Sequence, residues 1–128
     1  MTNGDNTEKK KRGIFRLLAA LGYSFQGLWM ATWAETAFRQ EIVVLLSAMV
    51  LLIFLPFHNN IKLALVLCHV GVMVVELLNS AIECIVDMVT SDYHILAKKA
   101  KDYGSAAVFL TLLITASVWI FAFWYTFF

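Results

Sequence analysis

Glu76-Leu77-Leu78-Asn79-Ser80-Ala81-Ile82-Glu83 decides how this chain is read. The octapeptide lies within Ile61 to Val89, a run that otherwise has the composition of a membrane-spanning helix. An ionised side chain near a bilayer centre costs about 3 kcal/mol on insertion scales. Two glutamates kept there need a cation, a polar partner or a nearby water interface. On a helix, Glu76, Asn79, Glu83 and Asp87 stand at i, i+3, i+7 and i+11 and share one face. They form a polar stripe about 16 Å long at 1.5 Å per residue. Carboxylates and an amide on one inward-facing stripe suit a metal site or a proton-transfer site.

Around that stripe the composition is that of a bilayer protein. Of 128 residues, 61% are hydrophobic and one is proline. A chain so short and apolar reads as one integral membrane domain rather than a soluble globule. A net charge of +1 gives nucleic-acid binding no electrostatic support. Cys68 and Cys84 fall on one expected helix, about 24 Å apart along its axis, too far to bridge. They read as structural thiols. Residues 1–12 are polar, and Lys9-Lys10-Lys11-Arg12 lead into an amphipathic segment without a cleavage-like site. They are expected to be a disordered tail, with residues 13–128 as a single domain.

Residues 13–33 carry Ile14, Leu17, Leu18, Leu21, Phe25, Leu28 and Trp29 at helical spacing, with Arg16, Ser24 and Gln26 off that stripe. The pattern predicts a helix lying in the membrane interface; packing of the same face on other helices is the plainer alternative. Three spans follow, at about 37–57, 61–89 and 103–128. Pro56 and His58-Asn59-Asn60 close the first. The third is uncharged throughout, and Trp119, Trp124, Tyr125, Phe127 and Phe128 read as an interfacial aromatic belt. The fold class is therefore all-α integral membrane, a surface helix plus three transmembrane helices. Lys9, Lys10, Lys11, Arg12, Arg16 and Arg39 precede the uncharged run 42–57 of the first span, and Lys98, Lys99 and Lys101 sit between the second and third. The positive-inside rule places these segments in the cytoplasm and the C-terminus outside. The unusual polar groups, Glu35, Arg39, Gln40, Glu41, Glu76, Glu83 and Asp87, then gather at one membrane face.

Each of these groups has a chemical and a structural reading. Glu83 with Glu35 matches what Mg²⁺ prefers, one or two carboxylates completed by water and phosphate oxygens; neutralisation by Arg39 or Lys101 is the alternative. Glu76, deeper, suits a general base or a hydrogen-bonded structural role. Asn79 can donate and accept, or simply bond across helices. Lys101 could neutralise phosphate, and Asp102 could accept from a hydroxyl or amino group. Lys98 and Lys99 are accounted for by topology and anionic headgroups. His94 reads as a surface residue and His69 as a hydrogen-bonding packing residue. Arg39-Gln40-Glu41 reads as a polar clamp at the surface or a snorkelling helix start. The sequence has no G-x-x-x-x-G-K-[ST] loop, no G-x-G-x-x-G and no zinc-type spacing.

Glu76-Leu-Leu-Asn79-Ser80-Ala-Ile-Glu83 with Val86-Asp87 resembles the signature of the prokaryotic diacylglycerol kinase family, which includes undecaprenol kinases. Three more segments match in order: Gly22-Tyr23-Ser24-Phe25-Gln26-Gly27-Leu28, Glu35-Thr-Ala-Phe-Arg39-Gln40-Glu41, and Ala100-Lys101-Asp102-Tyr103-Gly104-Ser105-Ala106-Ala107. Met88 after Asp87 and the extended N-terminal tail depart from the family pattern. The resemblance implies a homotrimer with composite sites between neighbouring protomers. It implies transfer of the γ-phosphoryl group of MgATP to a lipid alcohol, most simply diacylglycerol, in the bacterial inner membrane. By that resemblance Glu76 is the general base, and Glu35 and Glu83 are the Mg²⁺ ligands. Arg16, Tyr23, Ser24, Asn79, Asp92, Tyr93, His94, Lys101 and Asp102 surround the nucleotide. Arg16, Ala20, Arg39, Gln40, Glu41 and Ser105 lie near the lipid headgroup. An undecaprenol acceptor is the near alternative; a small proton-coupled transporter, which also keeps a membrane glutamate, is the distant one.

Overall fold

The computed structural model describes the backbone of residues 3–128 and the side chains from Phe15 onward. It contains α1 (Asn3–Ala34), α2 (Thr36–Phe54), α3 (Asn59–Val89) and α4 (Ile95–Phe127). The last three are long and apolar enough to cross a membrane. The chain divides into two compact units, residues 1–34 and 35–128.

Each boundary has a local cause. The helical backbone of α1 begins at Asn3 rather than near residue 13. Polarity suggested a tail, yet Glu, Lys and Arg are good helix formers; the first two residues of that segment lie outside the described ones. Glu35 alone separates α1 from α2; its backbone is extended, and its carbonyl accepts from the Arg39 N–H at 3.2 Å. Pro56 and the extended Leu55 stop α2 three residues short of the expected end. His58 caps α3, its Nδ1 accepting from the Asn60 N–H at 3.4 Å. The α4 helix starts at Ile95, eight residues before the expected span. Charge there ends the apolar stretch without ending the helix. At 33 residues α4 is about 50 Å long, well beyond a hydrocarbon core of about 30 Å, so its first turns need not lie in lipid.

In the larger unit α3 is central and packs against both α2 and α4. Its buried residues are Leu65, His69, Val72, Glu76 and Asn79, with Glu83 half-buried next. The steps alternate four and three, the heptad seam of helices packed at a shallow left-handed angle. On α4 the seam runs Gly104, Val108, Thr111, Thr115, Val118 and Ala122, with Gly104, Thr115 and Ala122 fully buried. On α2 it runs Phe38, Glu41, Leu45, Ala48 and Leu52. Small residues at such seams let membrane helices approach closely. The stripe of Glu76, Asn79 and Glu83 is thus the continuation of an apolar packing seam.

The other end of the unit is dry and aromatic. Leu52, Phe57, Leu65 and Ala122 form the buried core. Phe57 meets the rings of Trp119, Phe123 and Phe127 edge-on at 6.2, 5.2 and 6.4 Å. Trp119 therefore leaves the expected belt for the interior, where its indole N–H donates to His69 Nε2 at 3.2 Å. Trp124, Tyr125, Phe127 and Phe128 remain exposed or nearly so. Cys68 and Cys84 are free, on one helix.

The Trp119–His69 bond ties α4 to α3 away from the acidic groups. Trp119→Phe keeps the ring and removes the donor, leaving a buried acceptor alone. It is expected to cost about 1 kcal/mol, read as a lower midpoint in SDS titration of detergent-solubilised protein. The additional change His69→Leu should recover part of that loss. A wild-type midpoint for Trp119→Phe would show that this bond does not hold the helices.

Candidate functional site

The α3 stripe grades from dry to wet. Glu76 is 8% exposed, Asn79 9%, Glu83 is half-buried and Asp87 lies open. Asn79 Nδ2 donates to Glu83 Oε1 at 3.1 Å, one helical turn on. No hydrogen bond or ion pair to another described residue engages Glu76, and Glu83 has only Asn79. Glu83, Glu41 and Glu35 lie near enough to Glu76 for their charges to bear on it. Four acidic groups from the start of α2 and the middle of α3 thus share one electrostatic neighbourhood.

Among the described residues no basic side chain pairs with them. Arg39, which sequence reasoning offered as a counter-ion, donates from Nη2 to the Thr36 hydroxyl at 3.0 Å. It lies with Gln40, Glu41 and Thr36 along a shallow groove that continues over Val43 and Val44. Glu35 caps α2 with its backbone only, so its carboxylate is not spent on the helix N-terminus. Lys101, the other offered counter-ion, pairs with Asp87 at 2.6 Å, joining the end of α3 to the start of α4. Glu83 also attracts Lys101. Lys98 pairs with Asp102 one turn on.

The turn between α3 and α4 is ordered by its own side chains. The Thr90 hydroxyl donates to the Asp92 carbonyl and accepts from the Asp92 N–H, both at 3.2 Å. His94 caps α4, its Nδ1 accepting from the Leu96 N–H at 3.2 Å. Asp87, Asp92, Tyr93, His94, Lys101 and Asp102 line one open cleft of about 420 Å³. That is within the range of small-ligand sites. Five of these six were expected around a nucleotide; Asp87 is the addition. Ser105 is exposed on α4, one turn beyond Lys101.

Arg16, Ala20, Tyr23 and Ser24 belong to the α1 unit. They are exposed, and the Ser24 hydroxyl donates to the Ala20 carbonyl at 3.0 Å. Arg16, Ala20 and Tyr23 are spaced i, i+4, i+7 and share a face. Among the described side chains of α1 only Ala31 is buried; Leu17, Leu18, Leu21, Phe25, Leu28 and Trp29 are all exposed.

Chemically, the larger unit offers hard oxygen donors with no basic partner among the described residues, and lysines beside an open cleft. Among the described residues no three His, Cys, Asp or Glu side chains converge into a closed metal cage. Magnesium needs none, since it is held by one or two carboxylates with phosphate oxygens and water. The uncompensated carboxylates fit such an ion. Sequence reasoning passed over Gly104, which is buried against Asn79. A glycine in step with Thr111, Thr115 and Ala122 was the available signal.

Comparison with known proteins gives the family. The family model described as prokaryotic diacylglycerol kinase matches residues 22–123. A diacylglycerol kinase of Escherichia coli K12 is 42% identical over 112 residues, covering 88% of this chain and 92% of that protein. Diacylglycerol kinases of Haemophilus influenzae and Pseudomonas aeruginosa are 41% and 37% identical over 111 residues. The alignments cover 86% and 87% of this chain and 93% and 90% of those proteins. With four ordered motifs, three membrane-length helices and this breadth of identity, the chain belongs to the prokaryotic diacylglycerol kinase family.

Proposed function

We propose that this protein transfers the γ-phosphoryl group of ATP to the free hydroxyl of diacylglycerol, forming phosphatidic acid at the cytoplasmic face of a bacterial inner membrane. The observation that carries the reading is buried Glu76 two turns from half-buried Glu83, with no basic partner on either among the described residues. Two turns are about 10 Å along the axis. A lipid hydroxyl rising from the bilayer and a phosphate entering from water would meet between them.

In this reading Glu76 takes the proton of the lipid hydroxyl as its oxygen attacks the γ-phosphorus. The bond to the bridging oxygen breaks, and ADP leaves. Glu35 and Glu83 would hold Mg²⁺, which when bound neutralises phosphate oxygens. Lys101 exchanges Asp87 for phosphate. Tyr23, Ser24, Asn79, Asp92, Tyr93, His94 and Asp102 surround the nucleotide. Arg16, Ala20, Arg39, Gln40, Glu41 and Ser105 lie by the lipid headgroup, with Arg16 also within reach of phosphate. Such chemistry is mainly positioning and charge neutralisation. The exposed apolar residues of α1 support a helix lying in the interface. We further propose a homotrimer with sites between protomers, in which a neighbouring copy supplies groups that one chain does not gather. The basic segments before α2 and at the start of α4 support a cytoplasmic N-terminus and an outside C-terminus.

Purified protein in mixed micelles with labelled MgATP should phosphorylate diacylglycerol in preference to undecaprenol. The reverse preference would make it an undecaprenol kinase, and no transfer to either would remove the reading. Glu76→Gln should lower turnover by at least about 100-fold, the scale of a lost general base, while nucleotide binding survives. Glu83→Gln should abolish Mg²⁺-dependent nucleotide binding; an unchanged Mg²⁺ titration would take that role away.

A further inference from the structure

On α4, Gly104 is buried directly against Asn79 of the polar stripe. A Cβ built there would overlap the amide oxygen of Asn79, while the Asn79 Cγ and Cα would lie at 3.3 and 3.7 Å. The last distance is ordinary contact and the middle one only tight, so the conflict is with one atom. That oxygen is buried, and among the described residues it accepts no hydrogen bond. The other end of the amide is committed, Nδ2 donating to Glu83 Oε1 at 3.1 Å. The opposite amide orientation would set the oxygen against a carboxylate, so the bond to Glu83 fixes which way the amide points. A buried acceptor without a partner is costly. The helix pair keeps it nonetheless, in a slot that only a residue without a side chain leaves open.

We propose that Gly104 is a positioning residue for Glu83: its bare Cα admits the Asn79 amide between α3 and α4, and the amide orients the carboxylate. This rests on the reading of Glu83 as a metal ligand. It moves Asn79 from the nucleotide to the ligand's own support. Outer hydrogen bonds of this kind aim a ligand and typically change metal affinity by about 10–100-fold when lost. Gly104 has no side chain and acts only through Asn79. A methyl group there turns the amide, the amide releases Glu83, and the carboxylate is left to wander among rotamers.

The test uses the full-length protein in detergent, with β,γ-methylene ATP as the probe. The quantity read is the Mg²⁺ concentration that half-saturates probe binding. Gly104→Ala should raise it about tenfold with little change in the SDS unfolding midpoint. Asn79→Ala should raise it similarly, and Asn79→Ala/Gly104→Ala should be no worse than Asn79→Ala, because the atom that the methyl displaces is gone. An unchanged Mg²⁺ requirement in Gly104→Ala overturns the proposal, as does an additive double variant. If Gly104→Ala alone does not fold, the comparison of Asn79→Ala with the double variant decides: equal half-saturation supports the proposal, and a further rise overturns it. Glu83→Gln separates the two layers. If it leaves the Mg²⁺ titration unchanged, the metal reading fails and this inference with it. If it shifts the titration and Gly104→Ala does not, only the positioning role fails.

Discussion

Lipid cannot solvate a carboxylate, and that constraint organises the molecule. Glu76 and Asn79 must lie where protein, not acyl chain, surrounds them. They occupy the face of α3 already turned toward its neighbours, in step with Leu65, His69 and Val72. The apolar half of the seam supplies packing, the polar half carries the carboxylates and the amide, and one helical phase serves both. The graded exposure from Glu76 to Asp87 follows from the same axis, because α3 at 31 residues outlasts the hydrocarbon layer.

Charge is handled differently at the two levels. Near the end of α3 and the start of α4, Lys101 with Asp87 and Lys98 with Asp102 form exposed pairs. Such pairs add little to stability, and their partners exchange readily. One or two turns deeper, the carboxylates of Glu76 and Glu83 have no counter-ion among the described residues. A protein that only needed to be stable would have had Gln there. Carboxylates without a counter-ion among the described residues, close to lysines that can change partner, leave a place for a divalent cation between protein and phosphate oxygens, as the proposed function requires.

Much of this was legible in the chain. Periodicity gave the common face of Glu76, Asn79 and Glu83, and the four ordered motifs identified the family. The helix limits were less legible. Net polarity hid the helical backbone before residue 13. Charge marks the end of an apolar stretch and not of the helix, so composition does not reveal the first two turns of α4. Trp119 was assigned to a belt on composition, and its bond to His69 depends on a helix contact 50 residues away in sequence. Arg39 and Lys101 were plausible counter-ions for the glutamates. Only geometry shows that Thr36 and Asp87 hold them instead. Gly104 went unnoticed because an absent side chain carries meaning only once its neighbour is known.

The seam also bears on how sequences of this kind can change. Each residue on a helix turns the chain by about 100°. Deleting a single position between Leu65 and Glu83 would swing Glu83 off the packed face, while an exchange at a position exposed on the single chain, such as Leu67, Val74 or Leu78, leaves that phase intact. Length in this segment is therefore frozen even where composition is free to drift, and divergence should accumulate as point exchanges on the lipid side and never as insertions or losses within it.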